Sequence, residues 1–405
     1  SNISLDLSSN ICMVLAKLNR LDPNKLALKV KDLIKKNLSD FKEVEIAKPG
    51  FININLSDNA LTTIINSIFN EHKRFGSMNT NHSYNIEFVS ANPTGPMHVG
   101  HSRGAIFGDV LSNLLIFNGN KVTKEYYIND YGNQIKNFVK SVFLRIREIK
   151  YNEKFIDEKD LYPGEYIKEI AEKILNKSKL KFNSFDESLN FLENESLIYS
   201  MNMIKADLAK LGITHDSFVS EKSIVSSNTV TNAIDKLKKN NYIEEGYLEP
   251  PKGEEKKNWK KTKRLIFKSV LFGDDTNRAL QKDDGTWTYF ANDLAYHFNK
   301  VSRKYDKLIN ILGADHTGYV KRIEGAVQAL SENKTSLECK VCQLVKLFKN
   351  GLPFKMSKRA GDFISVSDLL NEVNKDSIRF MMLNRSNDVE LEFDFDKVLE
   401  KTKEN

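Results

Sequence analysis

The chain is poor in the residues and runs that mark several classes of protein. It has three cysteines, eight prolines and two tryptophans in 405 residues, and no apolar run approaches the length of a membrane span. Three cysteines cannot build a disulfide framework. Cys339 and Cys342 have no second cysteine or histidine pair nearby, which argues against structural zinc. Leu337, Cys339 and Val341 alternate as on one face of a strand, so we expect buried thiols in a reducing cytoplasm.

The beginning of the chain lacks a methionine and a basic-then-apolar secretory pattern, which predicts an internal start or a processed chain. The net charge of +7 is a mild excess. It is compatible with an RNA partner and with many other soluble proteins. A hydrophobic content of 40% in 405 residues allows roughly two or three cores.

The most informative stretch is NPTGPMHVGH at residues 92–101. It follows a strand predicted over Ile86–Ser90 and opens a helix predicted over Val99–Asn118, and a second strand is predicted over Lys121–Ile128. These elements make a β-α-β unit whose loop lies where open α/β sheets bind ligands. The loop ends at a helix N-terminus, whose unpaired N–H groups and dipole attract anions. The stretch therefore predicts a phosphate-binding site.

Histidines and glycines in this helix refine the prediction. His98 and His101 share one helical face, where each can donate to phosphate oxygens. Gly100 lies between them without a side chain, so a flat ring such as adenine could approach the backbone. Gly100, Gly104 and Gly108 recur at every fourth position, and each costs about 1 kcal/mol relative to alanine. A smooth helix face against a sheet or a ligand would compensate for that cost.

A second cluster, KMSKRAG at residues 355–361, places cations and a hydroxyl in one loop. Lysines in such a loop can close over phosphates as a transition state forms, and so stabilise charge that is absent from the ground state. A basic loop taken alone is more often solvated surface. The same holds for two histidines taken alone.

Together and in this order, the two clusters resemble the HIGH and KMSKS elements of class I aminoacyl-tRNA synthetases. The surrounding sequence resembles bacterial arginyl-tRNA synthetases through nearly the whole chain. The matching segments are IEFVSANPTGPMHVGHSRGAIFGDVL, YYINDYGNQI, LFGDDTNRAL, WTYFANDLAYHFNK, ILGADHTGYVKRI and KMSKRAGDFISVSDLL. The resemblance implies an α/β fold: a Rossmann-like catalytic domain with a parallel sheet, an N-terminal α+β domain and helical insertions. It also implies an ATP-dependent ligase that joins L-arginine to tRNA(Arg).

The domain organisation follows from composition and from this resemblance. Helices are predicted near Asn2–Leu18 and Lys25–Lys36, and strand-like sequence at Val44–Leu56. The expected domains are an N-terminal tRNA elbow-binding domain with an incomplete start (1–80), the first half of the catalytic domain (81–150), a helical insertion (151–225), the second catalytic half (226–345), and the KMSK loop with the start of a stem-contact region (346–405). Relatives continue into a C-terminal anticodon-binding domain that is absent before Asn405, so we expect poor tRNA charging.

The arginine pocket follows from charge and from the family. A guanidinium has five donors and no acceptor, so its pocket needs carboxylates and other oxygens. Tyr289 and Asp293 are four residues apart and share a helix face. By resemblance, these two and Glu87 bind the guanidinium, while Asn92 and His316 hold the α-amino end. His316 stands where some relatives carry glutamine. Without the resemblance, Tyr289 and Asp293 would be an ordinary half-exposed helix face.

For ATP, the resemblance implies that the histidines bind the phosphates, that the glycine between them packs on adenine, and that two lysines meet the departing pyrophosphate. The ATP candidates are His98, Gly100, His101, Lys355, Ser357 and Lys358, with His98, His101, Lys355 and Lys358 as the catalytic residues. His98 is also counted with the arginine-binding set. ATP enters with Mg²⁺ as a substrate, and relatives typically need bound tRNA before they activate arginine.

Two further segments are candidates for RNA contact. Phe51 and Asn53 match positions that contact a D-loop nucleotide in relatives, and a ring and an amide can stack on and hydrogen-bond a splayed base. The alternative places Phe51 in the core and Asn53 at a strand edge. The basic run KKNWKKTKR at residues 256–264 could bind phosphates while Trp259 stacks on a base, although such a run is more often a solvated loop.

The resemblance implies a cytoplasmic monomer whose partners are tRNA(Arg), L-arginine and ATP, with no membrane and no structural zinc. Two alternatives from other classes stay open. A nucleotidyltransferase would share the HxGH element and form a different adenylylated product. An RNA-binding paralogue would have lost catalysis, although the intact HVGH and KMSK elements argue against it.

Overall fold

The computed structural model describes residues 5–156, 158–248, 262–349, 351–354 and 364–399. The chain divides into two compact units, residues 1–78 and 79–405. Within the described residues, no helix is both long enough and apolar enough to cross a membrane.

The first unit is built on a three-stranded antiparallel sheet. Its elements are β1 Leu7–Ser9, α1 Ile11–Asn19, α2 Pro23–Asn37, β2 Phe41–Ala47, β3 Phe51–Leu56 and α3 Asp58–Glu71. The strands lie in the order β1-β3-β2. The helices α1 and α2 pack on the sheet around a small core that includes Val44, Ile52 and Ile54.

One prediction for this unit is wrong in detail. The helix predicted near Asn2–Leu18 begins only at Ile11, because Leu7–Ser9 pair with β3 as a strand. The strand-like sequence predicted at Val44–Leu56 is confirmed and forms an antiparallel pair, β2 and β3. The chain reverses between them at Gly50, whose φ of 136° is open to glycine and rare for other residues.

The second unit contains the motifs. Its elements are β4 Ser83–Glu87, α4 Val99–Phe117, β5 Lys121–Ile128, α5 Asn133–Tyr151, α6 Glu165–Lys177, α7 Phe185–Lys210, β6 Ser217–Ser220, α8 Glu221–Ser226, α9 Thr229–Lys239, β7 Ile243–Gly246, β8 Arg264–Phe267, β9 Arg278–Ala279, α10 Tyr289–Ser302, β10 Lys307–Gly313, α11 Val320–Ser331, β11 Ser336–Cys342, β12 Val345–Lys349, β13 Leu352–Phe354, α12 Val366–Glu372, α13 Lys375–Leu383, β14 Leu391–Asp394 and α14 Phe395–Leu399.

A five-stranded parallel sheet organises the described part of this unit, in the order β11-β10-β4-β5-β6. The predicted α/β class with a parallel sheet is confirmed. From β4 the chain moves to β5 on one side, while β10 lies on the other side. The sheet therefore has its topological switch point between β4 and β10, and ligands of such sheets bind at the carboxyl ends of those strands.

The predicted β-α-β unit is present, with one boundary shifted. Helix α4 begins at Val99 and β5 spans Lys121–Ile128, as the sequence predicts. The first strand ends at Glu87 rather than Ser90, because Val89 and Ser90 have φ values of 70° and 39° that turn the chain out of the sheet. Gly108 is explained by packing, since a Cβ atom there would overlap the ring of Phe88.

Three helices, α5, α6 and α7, pack on one another between β5 and β6 around their own apolar core. Helices α6 and α7 lie within the predicted helical insertion (151–225), whereas α5 precedes it. The last part of that segment, Ser217–Ser220, is strand β6 of the parallel sheet. The CxxC segment lies in β11, where Cys342 is buried and Cys339 is partly buried.

Candidate active site

A cavity of about 460 Å³ opens at the carboxyl ends of β4 and β10, at the switch point of the sheet. It is lined by five of the residues that the sequence singles out, namely Glu87, Asn92, His101, Asp293 and His316. These residues come from three parts of the chain, the stretch 87–101, helix α10 and the segment after β10. The fold therefore brings the end of the phosphate loop and the candidate arginine residues to one place.

A second cavity, of about 320 Å³, shares a wall with the first. Asn92, Tyr127 and Asp293 line both cavities. Tyr289 lines only the second, and its side chain is 71% exposed. Glu221, at the start of α8, also lines the second cavity. Five of the six predicted arginine-binding residues are thus distributed over two adjoining spaces, and His98 is not among the residues that line either one.

The two histidines of the first motif lie against each other at the start of α4. His98 is the N-cap residue of that helix, and its ring stacks on that of His101 with centroids 3.7 Å apart and planes 21° apart. A Cβ atom on Gly100 would lie 2.9 Å from the His98 imidazole, so this position must be glycine for the stack to form. The space above Gly100 on that side is taken by His98.

The chain after the second motif is bonded to the first motif through the backbone. Val99 N–H donates to the Ile364 carbonyl (3.1 Å), and Val366 N–H donates to the Met97 carbonyl (2.9 Å). These two bonds enclose His98, which faces Ser365 across an antiparallel bridge. The motif residues Lys355, Ser357 and Lys358 themselves lie outside the described residues.

Glu87 forms a buried ion pair on the floor of the first cavity. Its Oε2 accepts a hydrogen bond from Lys300 Nζ at 2.5 Å, and its Oε1 accepts one from Ser90 Oγ at 2.9 Å. Lys300 is completely buried and also donates to Asn310 Oδ1 at 2.9 Å. The charge of Glu87 is therefore already balanced by a cation of the protein.

Asp293 and Glu221 are further carboxylates of the cavities, and neither forms a salt bridge with a lysine or arginine in the part of the chain that the structure describes. Burial raises the pKa of Asp293 to about 6, and the nearby charge of Glu87 adds to the shift, while a hydrogen bond from Tyr319 Oη opposes it. Burial also raises the pKa of Glu221 to about 7, with further contributions from Asp293 and Asp130. Burial is the largest cause of both shifts and the neighbouring carboxylates add to it, so the charged forms of Asp293 and Glu221 are destabilised here. A bound cation would stabilise them.

The residues assigned to the α-amino end lie at the rim. Asn92 is exposed, and its Nδ2 donates to Gln134 Oε1 at 2.5 Å. His316 is exposed in a short 3₁₀ segment after β10, with Nε2 3.4 Å from Asp315 Oδ2. Both residues line the first cavity. Among the residues that the structure describes, no three His, Cys, Asp or Glu side chains are grouped as a metal site.

The candidate RNA-contacting residues lie in the first unit, on β3. Phe51 and Asn53 are partly buried and alternate with Ile52 and Ile54, which belong to the core. They therefore share the face of β3 opposite the core. Asn53 Oδ1 accepts a hydrogen bond from Ser8 Oγ at 2.8 Å. Most of the basic run at 256–264 falls outside the described part of the chain.

Comparison with known proteins identifies the family. The profile for the catalytic domain of class I tRNA synthetases (R) matches residues 63–402, and the profile for the arginyl-tRNA synthetase N-terminal domain matches residues 2–56. The arginine–tRNA ligase of Pelagibacter ubique is 56% identical over 409 residues, which cover 100% of this chain and 71% of that protein. This chain belongs to the arginyl-tRNA synthetases of class I. Within that family, the ligase of a Wolbachia from Brugia malayi is 45% identical and is also covered to 71%.

Solved arginyl-tRNA synthetases share the architecture. A crystal structure from Campylobacter jejuni has a TM-score of 0.74 at 34% identity, and the match covers 86% of this chain and 73% of that one. The Thermus thermophilus enzyme has a TM-score of 0.68 at 18% identity and covers 99% of this chain, which supports the fold alone. As a member of this family, the chain is a class I aminoacyl-tRNA synthetase and therefore a ligase.

The structure adds residues to this synthetase site that the sequence analysis missed. Glu221 follows β6 directly, and a carboxylate after a strand of a parallel sheet is a signal that could have found it. Lys300 lies seven residues after Asp293 on α10, two turns further along the same face. Ser200 and Asp207 on α7 carry no local signal, because a serine and an aspartate on a long helix look like solvent-exposed residues.

Proposed function

We propose that this chain activates L-arginine with ATP, forming arginyl-adenylate and pyrophosphate, and then transfers the arginyl group to the 3′ end of tRNA(Arg). One observation carries the proposal for these residues. His101, in the first turn of α4, lines the same cavity as Asp293. The carboxylate of Asp293 forms no salt bridge with a lysine or arginine among the described residues, whereas Glu87 is paired with Lys300. A site that joins an anion-binding helix end to an unbalanced acidic pocket suits a substrate pair of triphosphate and guanidinium.

We assign the guanidinium to Asp293 and Glu221, with Tyr289 at the outer side of the same space. A guanidinium donates in one plane and stays charged at all relevant pH values, so two carboxylates can neutralise it and accept its N–H groups. Glu87 accepts through its remaining lone pairs while its charge is balanced by Lys300. Asn92 and His316 at the rim are placed to meet the α-amino end.

We assign ATP to the start of α4. His98 and His101 donate to the phosphates together with the N-terminal amides of the helix. Packing of adenine on Gly100 remains a prediction from the resemblance, because the His98 ring occupies the space where a Gly100 side chain would lie. A contact of His98 with arginine remains a prediction from the resemblance, since His101 but not His98 is among the residues that line the first cavity. Lys355, Ser357 and Lys358 remain predicted partners of the pyrophosphate, and Mg²⁺ accompanies ATP as part of the substrate.

The mechanism needs no protein nucleophile. The carboxylate of arginine attacks the α-phosphate in line, the bond to the β-phosphate oxygen breaks, and pyrophosphate leaves. A ribose hydroxyl of tRNA then attacks the arginyl carbonyl and AMP leaves. The protein contributes by holding the two substrates in the orientation that the reaction needs. It also places positive charge where negative charge develops on the departing pyrophosphate. Fixing the guanidinium in the pocket sets the position of the attacking carboxylate.

For tRNA, we propose that Phe51 and Asn53 contact a nucleotide of the elbow, since both lie on the face of β3 that the core leaves uncovered. Their test is substitution of each by alanine, with tRNA affinity as the readout. A monomeric state and a cytoplasmic location remain predictions from the resemblance.

The proposed function is tested by ATP–pyrophosphate exchange in the presence of tRNA(Arg) and each amino acid in turn. We expect exchange with arginine only, and a loss of about 100-fold or more in kcat/KM for arginine on Asp293→Asn, because a buried charge–charge contact is removed. Asp235→Asn, an exposed position of α9 that lines neither cavity, is the control and should behave as the wild type. Exchange that depends on a different acceptor would support a nucleotidyltransferase, and tRNA binding without any exchange would support a paralogue that has lost catalysis.

A further inference from the structure

Two side chains of α7 end on the phosphate loop between β4 and α4. Ser200 Oγ accepts a hydrogen bond from Gly95 N–H at 2.9 Å, and Asp207 Oδ2 accepts one from Met97 N–H at 3.0 Å. The two side chains lie seven residues apart, which is two helical turns, so they point from the same face. Both are buried, with exposures of 0% and 4%. The loop between β4 and α4 is therefore fixed by hydrogen bonds to helix α7.

Asp207 reaches a second segment as well. Its Oδ1 accepts a hydrogen bond from Ser367 Oγ at 2.7 Å, and Ser367 Oγ accepts one from Lys210 Nζ at 2.7 Å. Ser367 is at the start of α12, next to Val366, whose N–H is bonded to the Met97 carbonyl. The carboxylate of Asp207 thus joins Met97, which precedes His98, to Ser367 at the start of α12.

Several polar side chains of α7 are buried beside the apolar residues that the helix contributes to the core. These are Ser188, Ser196, Ser200 and Asp207. Burying a carboxylate is costly unless hydrogen bonds satisfy it, and Asp207 accepts hydrogen bonds from the loop before α4 and from α12. Ser200 and Asp207 therefore connect α7 to the site, while its apolar residues pack in the core.

We propose that Asp207 is a positioning residue for ATP, which fixes the backbone at Met97 and the side chain of Ser367 so that the His98 imidazole is set at the start of α4 before the nucleotide binds. The proposal rests on the assignment of His98 and His101 to ATP made above. Ser200 supports it by fixing Gly95 in the same loop. Holding a binding group in its productive position beforehand lowers the entropic cost of binding.

The test measures the two substrates separately. Calorimetric titration with a non-hydrolysable ATP analogue and with L-arginine gives two dissociation constants for each variant, without requiring turnover. For Asp207→Ala we expect the constant for the ATP analogue to rise about 10-fold, because two charge-assisted hydrogen bonds near His98 are lost. The constant for arginine should stay within about 2-fold, since Asp207 lines neither of the two cavities. Asp207→Asn keeps one acceptor oxygen, so its dissociation constant for the ATP analogue should lie between those of the wild type and Asp207→Ala.

The matched control is Asp306→Ala. Asp306 Oδ2 likewise accepts one backbone N–H and one serine hydroxyl, both from Ser83, but at the amino end of β4, away from the cavities. It should lower the melting temperature and leave both dissociation constants unchanged. If Asp207→Ala does not fold, Ser367→Ala removes one of the two bonds, and we expect a rise of about 3-fold for the ATP analogue alone.

The outcomes separate this proposal from the proposed function. A wild-type chain that binds the ATP analogue but not arginine would contradict the function, while the comparison of Asp207→Ala with the wild type would still test the positioning role. Unchanged ATP affinity in Asp207→Ala and Ser367→Ala would overturn the positioning role. An equal loss of affinity for ATP and arginine would also overturn it, because that result is expected of general destabilisation.

Discussion

Lys300 Nζ lies 2.5 Å from Glu87 Oε2, and the two side chains come from helix α10 and strand β4, 213 residues apart in the chain. The ammonium is completely buried, and it also donates to Asn310 on β10. This pair joins the two strands that flank the switch point of the sheet to the helix that carries Asp293. It also decides which carboxylates of the pocket keep an unbalanced charge.

Replacing Lys300 should cost much more than replacing both members of the pair. Lys300→Met leaves the carboxylate of Glu87 buried without its cation, and we expect the free energy of unfolding to fall by about 3–5 kcal/mol. Urea denaturation measures the change. The double variant Lys300→Met/Glu87→Gln should recover most of the loss, and exposed Lys304→Met serves as the control. A loss below about 1 kcal/mol in the single variant would contradict the buried pair.

Arginine binding should weaken as the pH falls. Asp293 and Glu221 have pKa values of about 6 and about 7 in the free protein, and a guanidinium lowers both because it favours the charged form. Below pH 7, arginine must therefore displace protons, and its affinity should drop by up to about 10-fold per pH unit for each proton displaced. Titration from pH 8 to 5.5 measures this. A pH-independent affinity over that range would remove the two carboxylates from the site.

The charged form of Glu221 should lower the stability of the fold while it strengthens arginine binding. Its folded-state pKa of about 7 lies above the ordinary 4.5, so between those values the folded chain holds a proton that the unfolded chain has lost. The free energy of unfolding therefore falls as the pH rises through this window and stays low above it. Glu221→Gln should raise the melting temperature at pH 8 by a few degrees, leave it unchanged at pH 4, and weaken arginine binding. A lower melting temperature at pH 8 would argue that Glu221 has a cationic partner.

Two neighbouring tyrosines should respond in opposite ways to loss of the hydroxyl. Tyr127 Oη is buried with no hydrogen-bond partner among the described residues, while Tyr126 Oη donates to the Ala91 carbonyl at 2.7 Å. Tyr127→Phe keeps the ring stacked on Tyr296, with centroids 4.1 Å apart, and should stabilise the fold by about 1 kcal/mol; Tyr126→Phe should destabilise it by about 1 kcal/mol. Thermal or urea unfolding of both compares them directly. Equal changes in the two variants would show that the presence of a hydrogen-bond partner for the buried hydroxyl does not decide the effect.

Local sequence patterns predict the part of the fold that holds the first motif. Helix α4 and strand β5 begin where the apolar periodicity and the histidine motif place them. The end of β4 was displaced because Phe88, Val89 and Ser90 continue a strand-like sequence, and only their backbone angles, which depend on packing against α4, take them out of the sheet. The first helix was placed too early because Leu7–Ser9 become a strand only through pairing with β3.

The candidate site is predictable only where its residues belong to motifs. Asp293 and Tyr289 could be named because a matching segment surrounds them. Glu221 had only its position directly after a strand as a signal, and Asp207 had none, since its role depends on contacts that form when distant segments meet. A carboxylate in a helical sequence gives no sign of whether it will face water, a cation or a backbone amide until the neighbouring elements are in place.

Helices α5 to α7 are joined to the sheet only as a long connection between β5 and β6, and a smaller enzyme could be imagined without them. Trimming that connection would keep every strand, yet it would take away the oxygen atoms on which the Gly95 and Met97 amides end. The shortened protein would keep the complete sheet, but its loop between β4 and α4 would lose the hydrogen bonds that fix it. The length of this connection therefore sets a lower limit on the size to which the catalytic domain can be reduced while it still works.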